Sequence, residues 1–312
     1  MLRGLAQTLI NNLCLGRDEI SVPRWVDLSE VQSFVDNMIN IKERPEGYYP
    51  RVRYKEQFDI VVLVSGGLDS TIAYFLTKKK YPNLRVGAIY VKLGEACSYS
   101  EKELEALEQI GIPYVLEEVF VPKPSLEWEH IVPSRNFLLL VIASEYLRQE
   151  GRIIFSSVSG EVPREGGDKS LRFYSQAKRL LERVEGKQVV IETLKDHTKA
   201  EWIEIILDMY SDEREEMIEK LKQTVSCFST SQKHCGTCRA CFRRFVAFET
   251  AGIDVSDMFE VHPMIGCRRF VQEYKKRMGE ALERNDFSYF TKERCIQTLQ
   301  VIRKWEETWG SF

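Results

Sequence analysis

From residue 59 onward the chain alternates short, continuously apolar runs with longer stretches whose apolar positions recur every three to four residues. Residues 59–64 read DIVVLV, a β-branched run that predicts a strand covered on both faces. A helix is expected over 69–80, where Lys78, Lys79 and Lys80 suit the negative end of its dipole. A second strand is predicted over 85–91. Ser100 and Glu103 have the spacing of a capping box, opening a helix that should stop at Gly111. A strand over 114–121, a helix over 136–149 and a strand over 152–157 continue the alternation. Repeated units of this length predict an α/β fold with a doubly wound parallel sheet. Beyond residue 171 the pattern turns mainly helical, through a second capping box at Thr198 and Glu201, to the C-terminus.

Residues before 59 follow a different pattern. Asp27 to Glu30 is an acceptable helix start before the periodic stretch 31–39, and 42–55, with Pro45, Gly47 and Pro50, reads as a connector. Three parts are expected: a helical N-terminal extension (1–58), an α/β domain (59–210) and a helical C-terminal region (211–312). A length of 312 residues fits about two domains.

Hydrophobic residues make up 44% of the chain, enough to favour a folded core over disorder. The formal net charge of −3 argues against a protein built mainly to grip nucleic acid. The strongest uncharged apolar run, 137–143, falls far short of the roughly 20 residues a spanning helix needs. Gln7, Asn11 and Asn12 interrupt the faintly apolar N-terminus, which lacks a secretory h-region. A cytoplasmic protein without a membrane partner is therefore expected, and its eight cysteines should not form disulfides.

Candidate chemistry begins directly after the first strand with Ser65, Gly66, Gly67, Leu68, Asp69, Ser70 and Thr71. Where a parallel strand feeds a helix, unpaired N–H groups and the helix dipole converge on one point and favour an anion. Gly66 and Gly67 remove side chains that would keep phosphate oxygens away, and the hydroxyls add donors. The P-loop lysine, the dinucleotide-binding glycine pattern and the G-x-S-x-G elbow are all absent.

A second concentration of chemistry is Cys227, Cys235, Cys238 and Cys241. Two overlapping C-x-x-C steps with a fourth cysteine one loop away suit a closed, tetrahedral, structural Zn²⁺ site. Four thiolates would leave such a site negative, and Lys233, His234, Arg239, Arg243 and Arg244 are the cations expected to neutralise it. Cys14, Cys97, Cys267 and Cys295 have no metal spacing and read as core residues.

The loop SGGLDST resembles the SGGxDS loop of the PP-loop ATP pyrophosphatases, which have the adenine nucleotide α-hydrolase-like fold. Together with SCFSTSQKHCGTCRACFRR it resembles the 7-cyano-7-deazaguanine synthase (QueC-like) family. The stretch containing Pro133, Arg135 and Asn136 looks like that family's PxRN element, and Thr198 to Glu201 like its TKAE element. The likeness covers residues 59–253, which is 195 of 312. It departs from the family where Lys169 and Ser170 replace a Cys-Arg pair, and in the two terminal extensions.

This resemblance implies a ligase using ATP, Mg²⁺ and structural zinc. Its substrates would be 7-carboxy-7-deazaguanine and an amine, either ammonia or a protein amine. The product would be an amide and then a nitrile, with release of AMP and pyrophosphate. A second copy or a partner protein would dock on the terminal extensions.

Residues 65–71 would hold pyrophosphate, although Asp69 also reads as a plain first-turn dipole partner. Lys199 is either the cation meeting pyrophosphate or a solvated helix-face lysine. Arg135 is either a nucleotide or substrate contact or a surface ion pair. Asp168 is either a Mg²⁺ or ring ligand or a loop cap. Two other functions compete: a tRNA-thiolation enzyme, which needs reactive cysteines near the nucleotide, and a non-enzymatic zinc-ribbon module binding nucleic acid or protein.

Overall fold

The computed structural model describes residues 56–94, 99–119, 135–156, 170–227, 229, 231 and 233–310. The expectations for 1–55, for Cys14 and Cys97 and for Asp168 and Lys169 lie outside these residues. Five parallel strands form one sheet in the order β3-β2-β1-β4-β5. They are β1 (Phe58–Leu63), β2 (Val86–Lys92), β3 (Tyr114–Glu118), β4 (Leu147–Ile154) and β5 (Gln188–Glu192).

β1 is central because both of its faces are apolar. Ile60, Val62 and Val64 enter one hydrophobic cluster, while Val61 and Leu63 enter another on the opposite face. The first cluster is covered by α1 (Leu68–Lys80), α2 (Ser100–Ile110) and α5 (Lys199–Met209), the second by α3 (Arg135–Glu145) and α4 (Leu171–Glu185). The result is the doubly wound α/β sheet that the alternation predicts.

α6 (Arg214–Lys222), α7 (Arg239–Thr250), α8 (Pro263–Gly266), α9 (Arg268–Arg284) and α10 (Lys292–Trp309) follow. Phe242, Phe248, Tyr274, Met278 and Ile302 belong to the same cluster as Ile60 and Val62, so the C-terminal helices share a core with the sheet. No helix among the described residues is long and apolar enough to cross a membrane.

Four local expectations need correction. α3 ends at Glu145, and β4 begins at Leu147. Tyr146 and Leu147 keep the helical spacing of apolar positions past the junction, so periodicity alone extends the helix too far. β5 interrupts the expected helical region; its five residues QVVIE are partly exposed at the sheet edge and carry little pattern of their own. β3 ends at Glu118, before the expected limit. α2 has Tyr99 at its cap with no side-chain cap bond, and the Glu103 carboxylate goes instead to the Tyr90 hydroxyl. By contrast, the Thr198–Glu201 capping box forms in both directions, at 3.3 and 2.7 Å, and Gly111 closes α2 with φ +77°.

Candidate active site and metal centre

The sheet grows outward from β1 in two directions, toward β2 and β3 first and toward β4 and β5 afterwards. Ligands bind such sheets beyond the carboxyl ends of the strands, at the point where this order reverses. Here that point lies between β1 and β4 and is occupied by the glycine loop. Gly67 caps α1 without a side-chain bond, and the first backbone bond of the helix runs from Thr71 N–H to Gly67 O, at 3.0 Å. The Leu68, Asp69 and Ser70 N–H groups thus lie in the first turn, where a helix has no acceptor of its own.

The Ser70 hydroxyl turns back instead. It accepts from Ser65 N–H at 3.1 Å, donates to Gly67 O at 3.0 Å and lies 3.2 Å from Ser65 Oγ. Gly66 has φ +63°, and a Cβ there would come within 2.6 Å of Glu103 O. Gly66→Ala is therefore expected to cost about 1–3 kcal/mol in thermal unfolding, from left-handed strain with the collision added.

A cavity of about 340 Å³ opens over this loop. Ser65, Gly67, Leu68, Asp69 and Ser70 line one side, and Tyr90, Glu103, Arg135, Asn136 and Lys199 contribute to the remainder. Lys199, held at the start of α5 by the capping box, forms an ion pair with Asp69, and its side chain is 14% exposed. It is thus not a solvated helix-face lysine. Arg135 opens α3 at the cavity wall. Thr71 is fully buried and does not line the cavity; its Oγ1 has no hydrogen-bond partner among the described residues.

Glu103 is the residue that sequence patterning misses. Burial pushes its carboxyl up to about 7, against the opposing influence of the Tyr90 hydroxyl at 2.8 Å and the Arg135 charge. A folded state that binds this proton more tightly than the unfolded chain loses stability as pH rises from the ordinary 4.5 through about 7. The shift corresponds to about 3 kcal/mol. Glu103→Gln should accordingly stabilise the protein at pH 8 and do little at pH 4; equal effects in chemical denaturation at both pH values would contradict this.

The four cysteines converge as their spacing predicts. All four sulfurs lie within 4.8 Å of one another, with Cys227–Cys235 and Cys238–Cys241 at 3.4 Å and Cys235–Cys241 at 3.8 Å. A tetrahedral ion with metal–sulfur bonds near 2.3 Å requires sulfur separations of about 3.8 Å. Backbone N–H groups of Ser229, Thr237 and Cys241 donate to sulfurs at 3.3–3.4 Å, a pattern that suits thiolate acceptors. These residues therefore fit a metal such as zinc, with four protein ligands and a cross-linking role.

The expected neutralising shell forms in part, with His234 bonded to Cys227 and Arg244 within electrostatic reach of Cys241. Arg239 pairs with Glu273 and lies over Phe270. Arg244 is buried, lies over the Phe248 ring, and donates to Thr224 Oγ1, Leu221 O and Lys222 O at 2.6, 3.1 and 2.8 Å. Burial pulls its pKa down to about 9, so it remains cationic at neutral pH, at the carbonyl end of α6.

Between α6 and Cys227 the chain crosses the glycine loop. Val225 N–H donates to Gly66 O at 2.8 Å, and Val225 and Ser226 line the cavity. This short strap is held by Arg244 at one end and by the cysteine site at the other.

Comparison with known proteins follows the same outline. Residues 122–252 match the family model "Queuosine biosynthesis protein QueC". Proteins named 7-cyano-7-deazaguanine synthase are 26% identical in Methanocaldococcus jannaschii, over 62% of this chain and 96% of the relative, and in Methanothrix thermoacetophila, over 62% and 95%. The synonymously named protein of Bdellovibrio bacteriovorus is 26% identical over 66% of this chain and 99% of its own. Over those residues the chain resembles the QueC proteins.

The family-model match contains Arg135, Lys199 and all four cysteines of this chain, but not its glycine loop. The loop's place at the head of the site rests on the sheet topology and on the Asp69–Lys199 pair.

Proposed function

We propose that this chain is an ATP-dependent carbon–nitrogen ligase that adenylates 7-carboxy-7-deazaguanine and converts it to the amide and then the nitrile. What supports this most is the glycine loop at the sheet's switch point, facing Lys199 and lacking a P-loop lysine, in a chain whose relatives are named 7-cyano-7-deazaguanine synthase.

A carboxylate resists amines because oxide is a poor leaving group. Attack on the α-phosphate of ATP replaces that leaving group with AMP and expels pyrophosphate. The first-turn N–H groups of α1 and the Ser65 hydroxyl would hold the pyrophosphate, with the Ser70 hydroxyl fixing the loop behind them. Lys199 would exchange Asp69 for the developing phosphate charge, an electrostatic contribution set in place before reaction. Asp69 is the carboxylate at the loop that would hold Mg²⁺, which would supply charge neutralisation for the polyphosphate. An amine then displaces AMP to give the amide. The amide oxygen then attacks the α-phosphate of a second ATP, pyrophosphate leaves, and loss of AMP with the two amide protons gives the nitrile.

Incubation with ATP, Mg²⁺, 7-carboxy-7-deazaguanine and ¹⁵N-ammonium tests this by mass spectrometry. AMP, pyrophosphate and singly labelled amide or nitrile are expected. ADP as the main nucleotide product, or no turnover dependent on the acid, overturns the assignment.

A further inference from the structure

We propose that Glu103 is the base that takes the proton from the incoming amine after the carboxylate has been adenylated, an assignment that rests on the ligase function proposed above. The step balances as follows. The amine nitrogen attacks the acyl carbon, the carbon–nitrogen bond forms, the bond from the acyl carbon to the AMP oxygen breaks, and AMP leaves as an anion. One N–H proton must go elsewhere, and the Glu103 carboxylate receives it.

The cavity offers few candidates for that proton. Asp69 and Lys199 are paired with each other and, in the proposed reaction, are given over to Mg²⁺ and phosphate. Arg135 is a guanidinium, a donor with no acceptor site for the proton. Tyr90 and Tyr99 are phenols, and no histidine lines the cavity among the described residues. Among the described residues Glu103 alone combines a cavity position with a carboxylate engaged on one oxygen by a neutral donor, the Tyr90 hydroxyl at 2.8 Å.

Its anchorage supports the same role. The Glu103 backbone carbonyl packs against Gly66, so the residue is fixed to the loop assigned to the phosphates. Tyr90, only 2% exposed on β2, fixes the carboxylate from the other side. The charged and titratable groups facing it are Tyr90 from β2 and Arg135 from α3; Asp69 and Lys199 stand elsewhere on the cavity wall. Lys102, its neighbour on α2, is engaged with the Ser229 and Ser231 carbonyls. A base is most effective when its pKa lies near the working pH, and burial brings Glu103 to about 7.

The test separates the two half-reactions in the full-length protein. Adenylation is read as acid-dependent exchange of labelled pyrophosphate into ATP, and amide formation as ¹⁵N incorporation at constant free ammonia across pH 5.5–9. In Glu103→Gln, which keeps the shape and the Tyr90 contact, amide formation should fall by about 100-fold or more relative to exchange. The rising limb near neutral pH should disappear with it. Tyr90→Phe removes a hydrogen bond that lowers the Glu103 pKa, so its limb should move to higher pH while persisting.

If amide formation and exchange fall in parallel in Glu103→Gln, or its limb stays in place, Glu103 is not the base. Absence of exchange in the wild-type protein with this acid would instead overturn the ligase function, and the assignment with it.

Discussion

Cys241→Ser should be among the most damaging single substitutions in the chain, lowering the melting temperature by about 10 °C or more and abolishing bound metal. Structural zinc contributes apparent binding energies of about 10–16 kcal/mol, as large as the whole stability of an ordinary domain. Cys241 is fully buried on α7, whose Phe242, Phe245 and Phe248 are core residues, so a failed site reaches the shared core directly. Cys295, equally buried but remote from the four-cysteine cluster, provides the contrast: Cys295→Ala should cost only about 1 kcal/mol. Elemental analysis and calorimetry decide. Well under one zinc per folded wild-type chain, or an unchanged melting temperature in Cys241→Ser, would sink the cross-link.

Lys199→Ala is expected to lower acid-dependent pyrophosphate release by about 100- to 1,000-fold, the range seen when one preorganised charge or donor is removed. Folding should survive, because the Thr198–Glu201 capping box that starts α5 does not use the lysine side chain. The carboxylate left behind on Asp69 is partly exposed and can be hydrated. Lys199→Arg should keep part of the activity, since charge matters more here than exact shape. A loss of less than tenfold in the alanine variant, measured at saturating ATP, would remove Lys199 from the phosphate site.

The glycine loop, the four cysteines and the Thr198 cap are legible in the sequence for one physical reason: each is made by residues close together in the chain. A strand, a pair of glycines and a helix start already define an anion site. Two C-x-x-C steps already define most of a tetrahedron. Glu103 is hidden because its character comes from burial, from Tyr90 and from Arg135, none of which is local. Its spacing from Ser100 also offers a ready capping explanation that the fold does not use. β5 is hidden because five residues at a sheet edge owe their conformation to pairing with β4. Arg244 reads as a counter-charge beside cysteines, and in the fold it both feels the Cys241 charge and grips the end of α6, a second role that no local pattern announces.

The hydrogen bond from Val225 to Gly66 also bears on how the protein is made. A ribosome delivers β1 and the glycine loop long before Val225, and chains emerge at about 5–20 residues per second. Until the strap and its cysteines arrive, Gly66 lacks one of the contacts that hold it in its left-handed turn. Nascent or prematurely terminated products should therefore bind nucleotide poorly, and competence should appear late in synthesis, together with the C-terminal region that carries the four cysteines. Fragments ending before Val225 would then not compete with finished molecules for ATP.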